Sequence, residues 1–173
     1  MIREAKPSDL DAIEKIYENI HTAEESGRVS IGWARGVYPV RATAEAALGR
    51  RELFVLEDGG AIKAAGIINK TQVNVYEGAP WKFEAGPDEV CVLHTLTVEP
   101  SLAGHGIGTR FVDFYEKHAL SLGCAVLRID TNEKNVSARR LYAHLGYREA
   151  AVVPCVFNGI EGVNLVLLEK KLK

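Results

Sequence analysis

The residues best suited to chemistry lie in one stretch, Leu93-His94-Thr95-Leu96-Thr97-Val98-Glu99-Pro100-Ser101-Leu102-Ala103-Gly104-His105-Gly106-Ile107-Gly108-Thr109. An apolar run stopped by a proline leads into three glycines within five positions. The glycines open an amphipathic stretch carrying Phe111, Phe114, Tyr115 and His118. The pattern predicts a strand, a loop and a helix start. The first N–H groups of a helix have no partner inside it and sit at the positive end of its dipole, so they bind phosphate oxygens. Glycines let such a backbone approach a pyrophosphate closely. The competing reading is a glycine turn that only joins strand to helix. Three glycines directly before an amphipathic helix favour the phosphate cradle.

The spacing narrows the ligand. Gly104-x-Gly106-x-Gly108 is not the GxGxxG of a dinucleotide fold, and no lysine follows it as in a P-loop. Asp130, near the end of the next strand, keeps a dinucleotide reading open, because an acid there can hold a ribose. A nicotinamide-dependent oxidoreductase is therefore one alternative. Against it, too little chain follows Asp130 for a doubly wound fold, and Glu99–Ala103 intervene before the first glycine.

The elements that must position this stretch alternate along the chain. Strands are expected at Ile2–Glu4, Leu53–Leu56, Ile62–Ile68, Val90–Val98, Ala125–Asp130, Glu149–Phe157 and Asn164–Glu169. Asp58-Gly59-Gly60 reads as a hairpin turn. Helices are expected after Ser8 (Leu10, Ile13, Ile16, Tyr17 and Ile20 at helical spacing), over Ala42–Leu48, after the glycines to about Gly123, and over Asn135–Leu145. His21–Val40 reads as loop. Thr71–Glu89, with Gly78, Pro80, Gly86 and Pro87, reads as an excursion of partial strand character. About seven strands and four helices in this order predict an α/β fold. Its sheet should be mixed and mostly antiparallel, within a single domain spanning residues 1–173.

Composition excludes several classes. The 173 residues carry 21 Lys and Arg against 23 Asp and Glu, a net charge of −2. The basic pairs are short and scattered, which argues against nucleic-acid binding. Apolar residues at 47% and charged residues at 25% fit a folded globular chain. Cys91, Cys124 and Cys155 form no CxxC, and the five histidines show no metal-binding spacing, so no metal is expected. The longest apolar run, Ala150–Phe157, is far short of the ~20 residues a membrane span needs. The charged start Met1–Pro7 does not read as a signal peptide. A cytoplasmic protein without membrane partners is expected.

Two elements together resemble the GNAT superfamily of acyl-CoA-dependent N-acetyltransferases. One is the glycine loop, where Gly106 and Gly108 match the small positions of [Arg/Gln]-x-x-Gly-x-[Gly/Ala]. Ala103 stands where that family usually has Arg or Gln. The other is Asn132-Glu133-Lys134-Asn135-Val136-Ser137-Ala138-Arg139-Arg140-Leu141-Tyr142-Ala143-His144-Leu145-Gly146-Tyr147. It is similar to the family's Asn-x-x-Ala/Ser…Leu-Tyr-x-x-x-Gly-[Phe/Tyr] helix. The resemblance implies an acyl-CoA N-acyltransferase-like fold. It also implies direct transfer of the acetyl group of acetyl-CoA to a primary amine. By that resemblance the central strand splays from its neighbour, and the backbone over Leu96, Thr97 and Val98 meets the pantetheine. The Leu96 N–H then serves as an oxyanion donor. Ala103, Gly104, His105, Gly106, Ile107, Gly108 and Thr109 take the pyrophosphate, and Asn132, Asn135 and Ala138 lie beside the CoA arm.

The resemblance also gives roles to single side chains. Tyr142 corresponds to a tyrosine that protonates the departing thiolate, although it also belongs to the apolar stripe of Ala138, Leu141 and Leu145. His94 suits a general base for an alkylammonium acceptor. It shares strand phase with Val90, Val92, Leu96 and Val98, so a core histidine is the equal alternative. Glu89 is the rival base. Trp33, Tyr38 and Trp81 lie in loops that wall the acceptor site in this family. The Thr71–Glu89 segment is acidic, with Glu77, Glu84, Asp88 and Glu89 against Lys82, which suits a small cationic amine. A non-catalytic acyl-CoA sensor is the other alternative. The acceptor, small molecule or protein amine, and the oligomeric state are left open.

Overall fold

A computed structural model describes residues 1–173. Its elements are β1 (Ile2–Glu4), α1 (Leu10–Glu25), α2 (Arg41–Gly49), β2 (Leu53–Asp58), β3 (Ala61–Asn69), β4 (Val90–Val98), α3 (Ile107–Ser121), β5 (Val126–Asn132), α4 (Val136–His144), β6 (Arg148–Phe157) and β7 (Ile160–Lys171). The strands form one sheet in the order β1-β2-β3-β4-β5-β7-β6. Only β4 and β5 pair in parallel; every other pair is antiparallel. That single parallel pair is joined by α3, as a parallel crossover requires. The mixed, mostly antiparallel sheet with four helices is the one expected.

Two helical stripes close the core from opposite faces. On one face α3 buries Phe111, Val112, Tyr115 and Ala119 against Leu93, Leu127 and Ile129 of the central strands. On the other, Ile13 and Tyr17 of α1 and Ala44 and Ala47 of α2 pack on Val55, Ala65 and Ile67. Ile13, Val55, Ala65, Phe111 and Tyr115 are fully buried. At ~1.5–3 kcal/mol for each large apolar side chain removed from water, these contacts hold the sheet rigid where it must carry a site. No helix is long and apolar enough to cross a membrane.

Two segments differ from the expectation. Helix α1 continues through Glu25, one turn beyond the expected loop start at His21. Its apolar stripe continues through His21 and Ala23, both buried, and His21 Nε2 lies 2.9 Å from the Pro39 carbonyl. The excursion from Thr71 to Glu89 contains no strand. It has only two short 3₁₀ turns, Asn74–Tyr76 and Pro87–Glu89. Its prolines and glycines deny it a ladder. It is held instead by side chains: Tyr76 is buried, and the buried Glu169 carboxylate accepts the N–H groups of Lys82 and Phe83.

Candidate active site

The site begins where β4 and β5 part. They pair from Val90↔Val126 to Leu93↔Ile129 and no further. Beyond that point β5 continues to Asn132 on β7, and β4 continues to Val98 on β3. The edges that face each other across the gap therefore have no strand partner. Tyr115 pins the strands just before they separate: its hydroxyl donates to the Cys91 carbonyl at 2.6 Å and lies 3.3 Å from that of Arg128.

Next to the gap β4 bulges. His94 faces Ile67 and Thr97 faces Ala65, so β4 spends one more residue than β3 over the same span. Thr95 takes φ +50, which is rare for a β-branched residue. Opposite it, Gly66 lets the Phe111 ring approach, since a Cβ there would come within 2.7 Å of Phe111 Cε1. The bulge corrects the strand phase read from sequence. Val90 and Val92 share one face with His94, while Leu96 and Val98 pack against the α3 side.

The gap opens into a cavity of about 960 Å³. Leu96, Thr97 and Val98 line it from β4, Ala138 and Tyr142 from α4, and Asn135 from the cap of α4. The glycine loop lines it through Ala103, Gly104, Gly106, Ile107, Gly108 and Thr109. The N–H groups of Gly106, Ile107, Gly108 and Thr109 have no backbone partner, because the first intrahelical bond of α3 runs from Arg110 N–H to the Gly106 carbonyl. Four unpaired donors at the positive end of a 15-residue helix fit an anionic phosphate group. Not every amide of the expected cradle is free. Ala103 N–H donates to Pro100 and His105 N–H to Leu102. The glycines differ too. Gly106 takes φ +72, whereas Gly108 is helical and a Cβ there would sit 3.0 Å from Leu141 Cδ2. Gly108 thus lets α3 and α4 approach.

Three titratable groups share this cavity. His94 Nε2 lies 2.9 Å from Asn69 Oδ1. The amide is fixed, since Asn69 Nδ2 donates to Glu52 and Oδ1 also accepts the Thr71 N–H. Nε2 therefore carries the proton, and Nδ1 keeps a lone pair with no protein partner. Burial pushes His94 down to about 4, with Glu52 opposing, so the ring is neutral at pH 7. Tyr142 is buried, and burial followed by the nearby Asp130 charge holds its phenol protonated well above the usual range. Asp130 is pushed up to about 6 by burial, although the Tyr76 hydroxyl donates to its Oδ2 at 2.8 Å.

The loop between α1 and α2 roofs the gap and touches both strands. Tyr38 hydrogen-bonds Thr95 of β4, and Gly32 lies against the Asn132 side chain of β5 so closely that no Cβ would fit. Trp33 meets Tyr38 edge-on at 6.0 Å, and both line the cavity. Glu24, in the last turn of α1, holds the roof by accepting the N–H groups of Ile31 (2.6 Å) and Gly32 (3.1 Å). Asn132 and Asn135 each spend a side-chain oxygen on a local backbone N–H, of Lys134 and Ala138 respectively.

Three expected site residues lie outside the cavity. Trp81 stacks on the Arg128 guanidinium at 4.1 Å and donates to the Tyr76 carbonyl, covering a buried charge. Glu89 is exposed and accepts the Gly86 N–H. His105 is exposed, its Nδ1 3.1 Å from the Ala103 carbonyl. Sequence reasoning missed Glu24 and Thr95, and considered Asp130 only as a ribose ligand. An acid directly after the apolar, buried Ile129 in a central strand was the available signal for Asp130.

Comparison with known proteins agrees with this geometry. The family model "Acetyltransferase (GNAT) family" matches residues 11–147. An uncharacterized N-acetyltransferase from Methanocaldococcus jannaschii is 30% identical over 78 residues, covering 44% of this chain and 49% of that protein. The match thus spans about half the length of that relative. A GNAT-family acetyltransferase structure from Streptococcus agalactiae superposes with TM-score 0.82 at 20% identity, over 100% of this chain and 95% of that one. The yncA structure from Salmonella typhimurium, solved with its cofactor acetyl-CoA, gives TM-score 0.71 at 20% identity, over 100% and 94%.

Proposed function

The chain belongs to the GNAT acetyltransferase family, for which acetyl-CoA is the co-substrate, and from that premise we propose that it acetylates a small primary amine directly. The observation that carries this reading is the meeting of three features in one cavity: the unpaired N–H groups at the start of α3, the gap between β4 and β5, and the groups His94 and Tyr142. In this reading Gly106, Ile107, Gly108 and Thr109 bind the pyrophosphate, and the unpaired β4 edge over Leu96–Val98 aligns the pantetheine. A backbone N–H of that edge, at Leu96, stabilises the carbonyl oxygen as it gains charge. Asn132, Asn135 and Ala138 flank the CoA arm.

The acceptor enters as an ammonium and must lose a proton before its nitrogen attacks. His94 is neutral at pH 7 and offers a free Nδ1 for that proton. Glu89, outside the cavity, takes no part. The amine nitrogen bonds to the thioester carbonyl carbon, and the carbon–sulfur bond breaks. Two of the ammonium's three protons leave it: one goes to solvent through the base, and the other balances the proton that the Tyr142 hydroxyl gives to the CoA thiolate. A phenol held protonated by burial is a donor until a thiolate forms beside it. The roof carrying Trp33 and Tyr38 excludes water over the acceptor.

An acceptor panel read by release of CoA thiol tests the proposal: polyamines, arylalkylamines, amino acids, aminoglycosides and peptides. Turnover with at least one small amine is expected. Binding of CoA with no release for any amine would instead mark a sensor, and turnover confined to peptides would move the acceptor to protein amines.

A further inference from the structure

Asp130 stands out because its charge has no partner. It sits at the end of β5 on the cavity wall. Tyr76 donates to Oδ2, Oδ1 makes no hydrogen bond, and none of the protein's ion pairs includes it. The other groups that sense it are Tyr142 of α4, Tyr38 of the roof and Cys155 of β6. All three are neutral at pH 7. Leu167 is its partner across β7. Arg128, two residues earlier on β5, is occupied by Trp81 and Gln72. His94, also on the cavity wall, is neutral.

A carboxylate enclosed without a cation is costly, and proteins pair it or protonate it. This one opens on a cavity whose lining includes the apolar and aromatic residues Trp33, Tyr38, Phe157, Ile160 and Leu165. We infer that Asp130 binds the ammonium group of the acceptor, and that the acceptor is a primary amine on an apolar body with no carboxylate beside the nitrogen. The ammonium supplies the missing counter-ion through a charge-assisted hydrogen bond to Oδ1, and the aromatic rings receive the rest of the cation. A carboxylate on the carbon next to the nitrogen would lie against Asp130 and be repelled. This deepens the acetyl-transfer reading and rests on it. Asp130 sets KM for the amine, and proton removal stays with His94.

The test compares matched amines that differ by one carboxylate: 2-phenylethylamine against phenylalanine, and pentylamine against norleucine. Wild type should favour the simple amine of each pair by about tenfold or more in kcat/KM. Asp130→Asn keeps an acceptor for the Tyr76 hydroxyl. It should raise KM for the amines by about tenfold or more, the scale of a lost charged hydrogen bond, with a smaller change in kcat and none in acetyl-CoA affinity. Below pH 6 the wild type should lose kcat/KM relative to the variant, because the Asp130 carboxylate becomes protonated there. Wild-type amine KM in folded Asp130→Asn, or preference for phenylalanine and norleucine, would overturn the inference. Calorimetric binding of 2-phenylethylamine to the CoA-loaded protein keeps the two claims apart. Binding lost in Asp130→Asn without turnover in wild type would uphold the anchor and overturn acetyl transfer.

Discussion

Replacing Gly106 with valine isolates the phosphate cradle. Gly106 stands just before α3 with φ +72 and ψ 9. A Cβ there would meet nothing within 4 Å, so no packing demands glycine; only the backbone conformation and whatever approaches it do. The left-handed region costs a non-glycine residue ~1–2 kcal/mol, and a β-branched one more. The strain has two outlets. If the loop holds its shape, stability falls by that amount, roughly 2–8 °C in Tm for a chain of this size. If the loop relaxes, the N–H groups of Ile107, Gly108 and Thr109 turn from their common target. At 1.4 kcal/mol per decade, 1–2 kcal/mol is then roughly a five- to thirtyfold loss of CoA affinity. The valine side chain also occupies the open space a pyrophosphate would use. We therefore expect Gly106→Val to bind CoA at least ~tenfold more weakly by calorimetry while remaining folded in thermal melts. Gly78→Val is the control, because Gly78 has φ +70 and equally open surroundings but lies in the excursion, off the cavity. It should lose stability and keep CoA affinity. Wild-type CoA binding in folded Gly106→Val, or an equal loss in Gly78→Val, would refute the cradle.

Further outcomes are expected at four residues. Tyr142→Phe, which keeps the ring packed against Tyr147, should lower kcat about tenfold or more with acetyl-CoA affinity unchanged; wild-type kcat when chemistry limits the rate would remove Tyr142 from the mechanism. His94→Ala should lower turnover by roughly 10²–10⁴. Since folding depresses the pKa of His94 to about 4, the unfolded chain binds the extra proton between about 4 and 6.5, so His94 should cost stability as pH drops through that window, by up to about 1.4 kcal/mol per unit relative to a His94→Gln variant; the same pH dependence in the two proteins would contradict this. Asp130 has the opposite sign: folding raises it to about 6, so its contribution is present below about 4 and lost as pH rises through 6. Asp130→Asn should therefore melt higher than wild type at pH 7 and not at pH 4, and a lower melting point at pH 7 would show that the carboxylate is already compensated. Glu24→Ala removes the acceptor of the Ile31 and Gly32 N–H groups and should raise amine KM roughly fivefold at unchanged CoA affinity; an unchanged KM would show the roof to be held by Tyr38 alone.

The parts of the site written in local spacing were legible in the sequence. Glycines before an amphipathic stretch give a helix start wherever the chain sits, so Val90–Val98 and the start of α3 after Gly106 fall at their expected positions. What depends on distant partners was not legible. The phase of β4 changes at Thr95 because Gly66 and Phe111, from two other elements, leave room for a bulge. Without that contact His94 and Leu96 look like neighbours on one face. Trp81 looked like an acceptor-site residue because aromatic side chains suit an amine, and Glu89 like a rival base because it is a carboxylate at the start of the central strand. Trp81 instead covers Arg128, a buried charge that sequence reading did not single out. Asp130 gained its meaning only from an enclosure built by Tyr38, Tyr76 and Tyr142, three residues far apart in the chain.

The central claim is direct transfer of an acetyl group from acetyl-CoA, held in the gap between β4 and β5, to an amine nitrogen. A single turnover with isotopically labelled acetyl-CoA and 2-phenylethylamine, followed by mass spectrometry of protein and products together, measures it. The account predicts the label on the amine nitrogen, free CoA in equal amount, and an unmodified protein at every time point. Label that first appears on the protein, or acetyl-CoA that stays bound and intact beside the amine, would contradict it.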